Sequence, residues 1–352
     1  WAGWPRCQDR SDQLQVAGFD GKRINGYVIN EKCDSSKDGS KKRQEQRIKK
    51  KEEYIACTKE PDFGYFEHFT PKSGKAADIA ADLYDLIVQS DSLHTIKGLV
   101  CDGCNVNVGC YGGVIRLLEM RIGRPLHWSI CLLHSNELPF RDFFSAVDGR
   151  TTGPRSGEGP IGIAIGADRR LQDLDIVPFQ PIPGKVNQIN STLVIQELST
   201  EQKYLYQICM SVQSGVMFDA NLHKRDPGVL DHARWLTKAN RVLRLYVSTP
   251  DPTPELTSIV SNVVNMYAPC WFQIKRFCGI QYGALNFFEM IRHYQMLPHD
   301  DQVILKRALL RNSFLAHPEH ILVSAISHPH IEYRQFAVEK IMLARTKARQ
   351  VE

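Results

Sequence analysis

The sequence predicts an α/β protein in which a mixed sheet, built from the first half, is followed by an all-helical region. Strand-like and helix-like segments alternate between residues 14 and 147. The connection between the first two strand segments is short, and from about residue 199 the apolar spacing is helical throughout. The short connection favours antiparallel pairing, whereas strands separated by helices run parallel through right-handed crossovers.

The elements follow in order. "LQVAGFD" (14–20), "INGYVINEK" (24–32) and "EEYIACTKE" (52–60) read as three consecutive strands. Between the second and third lies a basic run that an extended hairpin or a short helix would carry. "GKAADIAADLYDLIVQSD" (74–91) spaces Ile79, Leu83, Leu86 and Ile87 at helical intervals. "IKGLVC" (96–101) is a fourth strand, "GGVIRLLEMRIG" (112–123) a helix ending at Gly123, and "LHWSICLL" (126–133) a fifth strand. "NELPFRDFFSAV" (136–147) is a third helix, interrupted early by Pro139. The order is therefore β-β-β-α-β-α-β-α. The loop at 148–162 lacks the GxxxxGK[ST] phosphate-binding pattern, and a Pro- and Ile-rich stretch runs on to about 197. Ser199-Thr-Glu-Gln202 has the form of a capping box, and helices are predicted from 199 and over 231–247, 254–277, 283–296, 300–312 and 331–349. No fixed repeat period appears. The predicted domains are 1–165 (α/β), 166–198 (irregular linker) and 199–352 (helical, insertion-like, its last helix able to return to the sheet).

Apolar residues make up 43% of 352, enough for two domains or one large domain with an insertion. No apolar run reaches the roughly 18 residues that span a bilayer, and no signal peptide is visible. The ten cysteines have no framework spacing, so reduced thiols in the cytosol or nucleus are expected. The first residue is Trp1 rather than Met, as in a piece of a longer protein. Much of the net charge of +5 is concentrated in residues 36–51, which hold eight Lys or Arg. Such a run is either a solvated surface or a nucleic-acid contact, carried here by Lys41, Lys42, Arg43, Lys49 and Lys50.

Three predicted strands end in a polar residue: Asp20, Asp102 and His134. Ligands of open α/β sheets bind beyond the carboxyl ends of strands. If strands one and four are neighbours, Asp20 and Asp102 share one crevice, where their repulsion calls for a cation, Mg²⁺ or Mn²⁺. The competing reading makes Asp20-Gly21 and Asp102-Gly103 turn pairs. A zinc site from Cys101, Cys104, Cys110, Cys131 and His134 is a rival, weakened because Cys101 and Cys131 lie in apolar runs. A Cys–His nucleophile lacks an orienting third residue. In "HARWLTKANRVLRLY" (232–246), Arg234, Lys238, Arg241 and Arg244 either decorate an amphipathic helix with Trp235 and Leu243 in the core, or form a phosphate-facing stripe.

These residues resemble a known family. The element order, with carboxylates ending strands one and four, resembles the ribonuclease-H-like fold of transposases and nucleases. "CLLHSNELP" (131–139) is similar to the C-x-x-H motif after the second catalytic Asp of hAT-type transposases, and "ARWLTKANRVL" (233–243) to the Arg-Trp segment of their helical insertion. The stretch 101–144 also resembles a group of transposon-derived animal proteins. The resemblance covers about residues 14–162 well and the helical half loosely. It implies catalytic Asp20 and Asp102 holding Mg²⁺ or Mn²⁺, a C-x-x-H pair at Cys131 and His134, and a third acid downstream. Glu332 is the first choice for that acid, with Glu339 and Glu289 behind it. It further implies polynucleotidyl transfer on DNA in the nucleus, with backbone contacts from the basic run, Arg234 and Lys238, and it is compatible with a homo-oligomer. A zinc finger before residue 14 and the family's C-terminal dimerisation region are not evident, which fits a truncated or domesticated copy. The alternatives are a non-enzymatic nuclear module binding DNA or protein, and a zinc-stabilised interaction domain.

Overall fold

A computed structural model describes residues 14–35, 41–60, 64–109, 111–186, 197–219, 221–230, 234–277, 280–326 and 328–348, with the backbone alone for 22–53. The chain divides into two compact units, one running to Cys131 and one from Leu132 to Ala348. The predicted domain boundary lies further on, at 165.

The first unit is α/β, with a mixed five-stranded sheet. Strands β1 (Val16–Ser35), β2 (Lys41–Lys59) and β3 (Gly64–Phe69) precede helix α1 (Ala76–Gln89). Strand β4 (Gly98–Cys101), the one-turn helix α2 (Asn105–Val108), helix α3 (Val114–Ile122) and strand β5 (His127–Ile130) follow. The spatial order is β3-β2-β1-β4-β5. Strand β1 pairs antiparallel with β2 and parallel with β4; β2 pairs antiparallel with β3, and β4 parallel with β5. The order β-β-β-α-β-α-β-α is present with α2 added, although the first three strands are not the three segments predicted.

Several strand predictions need correction. The segments 14–20 and 24–32 are one strand, because Asp20 and Gly21 stay in register with Ala56 and Ile55 rather than turning. Nineteen consecutive cross-strand positions, from Ala17 opposite Lys59 to Ser35 opposite Lys41, hold the DG pair extended against its turn preference. The predicted third strand is the second half of β2, and β3 adds a strand that the pattern did not mark. The predicted fifth strand stops at Ile130, and Leu132 already opens a helix.

The sheet buries Ala17, Phe19, Ile55, Cys57, Leu99 and Cys101, alternating residues of β1, β2 and β4. Helix α1 adds Ile79, Ala80, Leu83 and Ile87 at helical spacing, and α3 adds Val114, Ile115 and Leu118. Glu119 is buried among them, and its Oε1 accepts from Leu126 N–H and Trp128 Nε1–H, both at 2.9 Å, tying α3 to the start of β5. As predicted, α3 ends at Gly123, whose φ of +73° suits glycine.

The second unit is helical: α4 (Leu132–Asp148), α5 (Pro160–Ala164), α6 (Thr200–Ser214), α7 (Trp235–Tyr246), α8 (Pro254–Asn262), α9 (Ala268–Arg276), α10 (Gly283–Gln295), α11 (His299–Arg311), α12 (Pro318–Ile326) and α13 (Ile331–Ala348). The Ser199–Gln202 capping box is formed as read from the sequence. The predicted helix 254–277 is α8 and α9 joined by a π turn over Val263–Tyr267, which takes up the irregularity ahead of Pro269. Helix α4 belongs here by its packing. Phe140 lies against Trp235 and Tyr267, Asn136 donates to Tyr267 O at 3.0 Å, and Asn312 donates to Ser135 O at 2.7 Å. Among the described residues, no helix is long and apolar enough to cross a membrane.

Candidate functional site

The parallel register of β1 and β4 runs Val16 opposite Gly98, Ala17 opposite Leu99 and Gly18 opposite Val100. Asp20 and Asp102 are each two residues past that last pair, Asp20 still within β1 and Asp102 in the loop that follows β4. Asp20 is exposed on a strand still paired with β2, while Asp102 is half-buried just beyond β4. Both residues that the sequence singled out thus lie just past the stretch over which β1 and β4 pair.

Asp102 also has a local structural task. Its Oδ1 accepts from Cys104 N–H at 3.1 Å and from Asn107 Nδ2 at 2.8 Å, fixing the loop into α2. The glycines of "GCYGG" then let the chain fold back before α3: a Cβ on Gly113 would sit 2.4 Å from Gly109 N. Burial pushes the Cys104 thiol up to about 11, helped by its hydrogen bond to Asp102. Burial likewise raises the Cys101 thiol, with the Asp102 charge adding to it. Both are protonated at neutral pH, which opposes their use as nucleophiles. Among the described residues, no three His, Cys, Asp or Glu side chains are grouped to hold a metal; Cys110 lies outside those residues.

Cys131 is exposed in the first unit, between β5 and α4. His134 lies in the first turn of α4 rather than at the end of a strand, a correction that follows from the helix starting at Leu132. Its Nδ1 is 3.8 Å from Glu137 Oε2, which is also 3.7 Å from an Arg234 guanidinium nitrogen. Glu332 is exposed in the first turn of α13, Glu339 is exposed further along it, and Glu289 pairs with Arg292 on α10 at 2.7 Å. All three candidate acids belong to the helical unit, while Asp20 and Asp102 belong to the first. In the basic run, residues 36–40 lie outside the described residues. Lys41, Lys42, Arg43, Lys49 and Lys50 are in β2, their side chains outside the description.

The cations of α7 divide sharply. Arg234, just before the helix, has a φ of +44° and a largely exposed side chain. With Thr152, Gly153, Pro154, Arg155, Ser156 and Leu230 it lines a surface pocket of about 280 Å³. Lys238, Arg241 and Arg244 are at most 3% exposed, so the phosphate-facing stripe is not formed. Trp235 and Leu243 are in the core, as the amphipathic reading expects. The Lys238 amine donates to Ser156 O at 2.9 Å and sits 3.9 Å above the Phe144 ring. Arg241 gathers the carbonyls of Ile165, Gly166, Arg169 and Gly228, and Arg244 those of Leu174 and His223. Sequence reasoning missed this inward role, for which no local pattern exists.

Burial lowers the Lys238 amine to about 8, against a smaller opposing pull from Asp148. A lysine depressed in the fold binds its proton less well there than in the unfolded chain, so stability rises with pH between about 8 and the unfolded value near 10.4. The penalty is fully present below 8. Relative to Lys238→Met, the parent protein should gain on the order of 3 kcal/mol across that window. Urea unfolding of both proteins at pH 7.5 and 10 checks this, and parallel pH profiles would contradict it.

The chain matches no family model, and comparison with curated proteins and with solved structures likewise returns no match.

Proposed function

We propose that the first unit is a ribonuclease-H-like polynucleotidyl transferase domain of transposase ancestry, acting on DNA phosphodiesters with Mg²⁺ or Mn²⁺. The observation that supports this reading is the placement of Asp20 in β1 and of Asp102 just beyond its parallel neighbour β4, in a sheet ordered β3-β2-β1-β4-β5 with β2 antiparallel. The donor chemistry suits a hard cation: Mg²⁺ is commonly held by one or two carboxylates, with water and substrate phosphate oxygens completing its shell. When bound, such ions lower the pKa of water and stabilise the attacking and leaving oxygens of an in-line displacement. Asp20 and Asp102 would hold the cation. The contacts of Asp102 with Cys104 N–H and Asn107 would keep its carboxylate oriented.

A second reading, a non-catalytic nuclear module binding DNA or protein, is favoured by the same contacts. They give Asp102 a purely structural reason to be acidic, and no third ligand joins it among the described residues.

A plasmid-nicking assay on the full chain separates the two. The first reading expects Mg²⁺- or Mn²⁺-dependent nicking that EDTA stops and Asp20→Asn reduces about 10²–10³-fold, the loss typical of one electrostatic stabiliser of a transition state. It also expects Mn²⁺ binding, followed by electron paramagnetic resonance, to weaken in that variant. Absence of metal-dependent nicking, or parent-level nicking by Asp20→Asn, leaves the binding module.

A further inference from the structure

The sheet uses only part of β1 and β2. Strand β1 meets β4 over Val16–Gly18, and β2 meets β3 over Ile55–Lys59; from Lys22 opposite Tyr54 to Ser35 opposite Lys41 the two strands pair only with each other. Fourteen successive positions at about 3.3 Å each make a two-stranded ribbon roughly 46 Å long.

Charge is distributed unevenly between this ribbon and the rest of the chain. Residues 22–35 and 41–54 hold ten of the 44 Lys and Arg and five of the 39 Asp and Glu, which leaves 34 of each sign elsewhere. The whole net charge of +5 therefore belongs to the ribbon. The register then divides it by face, since successive residues of a strand alternate and directly opposed residues share a face. The odd-numbered residues of β2 place Lys41, Arg43, Arg47, Lys49 and Lys51 on one face. Their opposite numbers in β1 are Ser35, Cys33, Ile29, Tyr27 and Asn25, so none of the five stands across from a carboxylate. The two acids between them and β1, Glu45 and Glu31, stand opposite each other. Cross-strand pairs normally match opposite charges, and like charges directly opposed are unfavourable. On the even face Lys42 stands opposite Asp34, while Lys22, Lys32 and Lys50 stand opposite Tyr54, Gln44 and Gly26. What distinguishes the odd face is that β2 alone lines up five cations there, against two, Lys42 and Lys50, on its even face.

Its dimensions suit duplex DNA. From Lys41 to Lys51 the row extends about 33 Å, close to the 34–36 Å turn of B-DNA. Same-face positions recur about every 6.6 Å, near twice the 3.4 Å axial spacing of phosphates on one strand. A two-stranded ribbon also fits the major groove, about 12 Å wide.

We infer that the β1–β2 ribbon is an arm that holds duplex DNA, with the odd-numbered face of β2 against the phosphate backbone. The arm deepens the DNA reading above by naming the element that grips the duplex, and its binding requires neither metal nor Asp20 and Asp102.

The test is equilibrium binding of the full chain to a 30-base-pair duplex in EDTA across a salt series. One variant carries Lys41→Gln, Arg43→Gln, Lys49→Gln and Lys51→Gln; a control removes the same charge from the even face through Lys22→Gln, Lys32→Gln, Lys42→Gln and Lys50→Gln. Each lost phosphate contact flattens the slope of log K against log salt by about 0.9, so the odd-face variant should lose up to about 3.6 and bind at least tenfold more weakly than the control. Circular dichroism and thermal melting verify that both variants are folded. Equal losses in the two variants, equal affinity for a single strand of the same length, or no duplex binding by the parent would each overturn the arm. The failures are distinguishable. Duplex binding without nicking removes the catalytic reading and keeps the arm, whereas undiminished binding by the odd-face variant, with metal-dependent nicking intact, does the reverse.

Discussion

Replacing Arg241 with Met is expected to lower the stability of the helical unit by about 3–5 kcal/mol, more than a typical core substitution. The guanidinium is 3% exposed and acts as a hub. Its Nε donates to Ile165 O at 2.7 Å, Nη2 to Gly166 O at 2.6 Å and Arg169 O at 2.5 Å, and Nη1 to Gly228 O at 3.4 Å. Two loops far apart in sequence are thus held to one face of α7 through one side chain. Burial lowers its affinity for a proton, with Asp226 pulling the other way, yet a guanidinium stays charged at any ordinary pH. Met would fill much of the volume but leave four carbonyls without this donor. Lys would not restore the site, because a single ammonium cannot reproduce the planar fork that reaches carbonyls on both sides. Urea unfolding followed by helical circular dichroism is the measurement. A loss under 1 kcal/mol in Arg241→Met, or full recovery in Arg241→Lys, would show that the loops hold themselves in place.

The same residue illustrates what the sequence could and could not disclose. The alternation of strands and helices was legible because period-2 and period-3.6 patterns are local, and α1 and α3 bury the residues at those intervals. The adjacency of the strands that lead to Asp20 and Asp102 was legible too, since β1 and β4 are parallel neighbours as the order of elements suggests. Three features were not legible, for separate reasons. Asp20-Gly21 has turn chemistry, yet it continues in a strand because the facing chain supplies partners on both sides of it. Strand β3, "GYFEHF", has no buried position and therefore no alternation to detect. His134 follows an apolar run too short to distinguish the end of a strand from the start of a helix. The inward cations of α7 are the clearest case. An amphipathic reading sends charge outward, whereas three of the four acceptors that draw Arg241 inward lie 72–76 residues earlier in the chain. A third carboxylate is hard to read for a related reason: Glu332, Glu339 and Glu289 have no local motif, and they belong to the other unit.

The largest functional effect is expected at Asp102, where two substitutions separate a metal ligand from a loop cap. Asp102→Asn keeps an oxygen able to accept from Cys104 N–H and Asn107 Nδ2, so stability should change by about 1 kcal/mol or less. Asp102→Ala removes the acceptor altogether and should cost about 1–2 kcal/mol, the range seen when a side chain that satisfies backbone donors is truncated. On the catalytic reading both variants should lose nicking to the same extent, about 10²–10³-fold, because both lack the anionic oxygens that a hard cation requires. If the cap is the whole role of Asp102, function should instead follow stability: Asp102→Asn would behave like the parent, and Asp102→Ala alone would be impaired. Thermal melts and metal-dependent nicking on the same three proteins decide the matter. Full nicking by a well-folded Asp102→Asn would remove the metal from the proposal, and any DNA-binding role would then rest on the ribbon of β1 and β2.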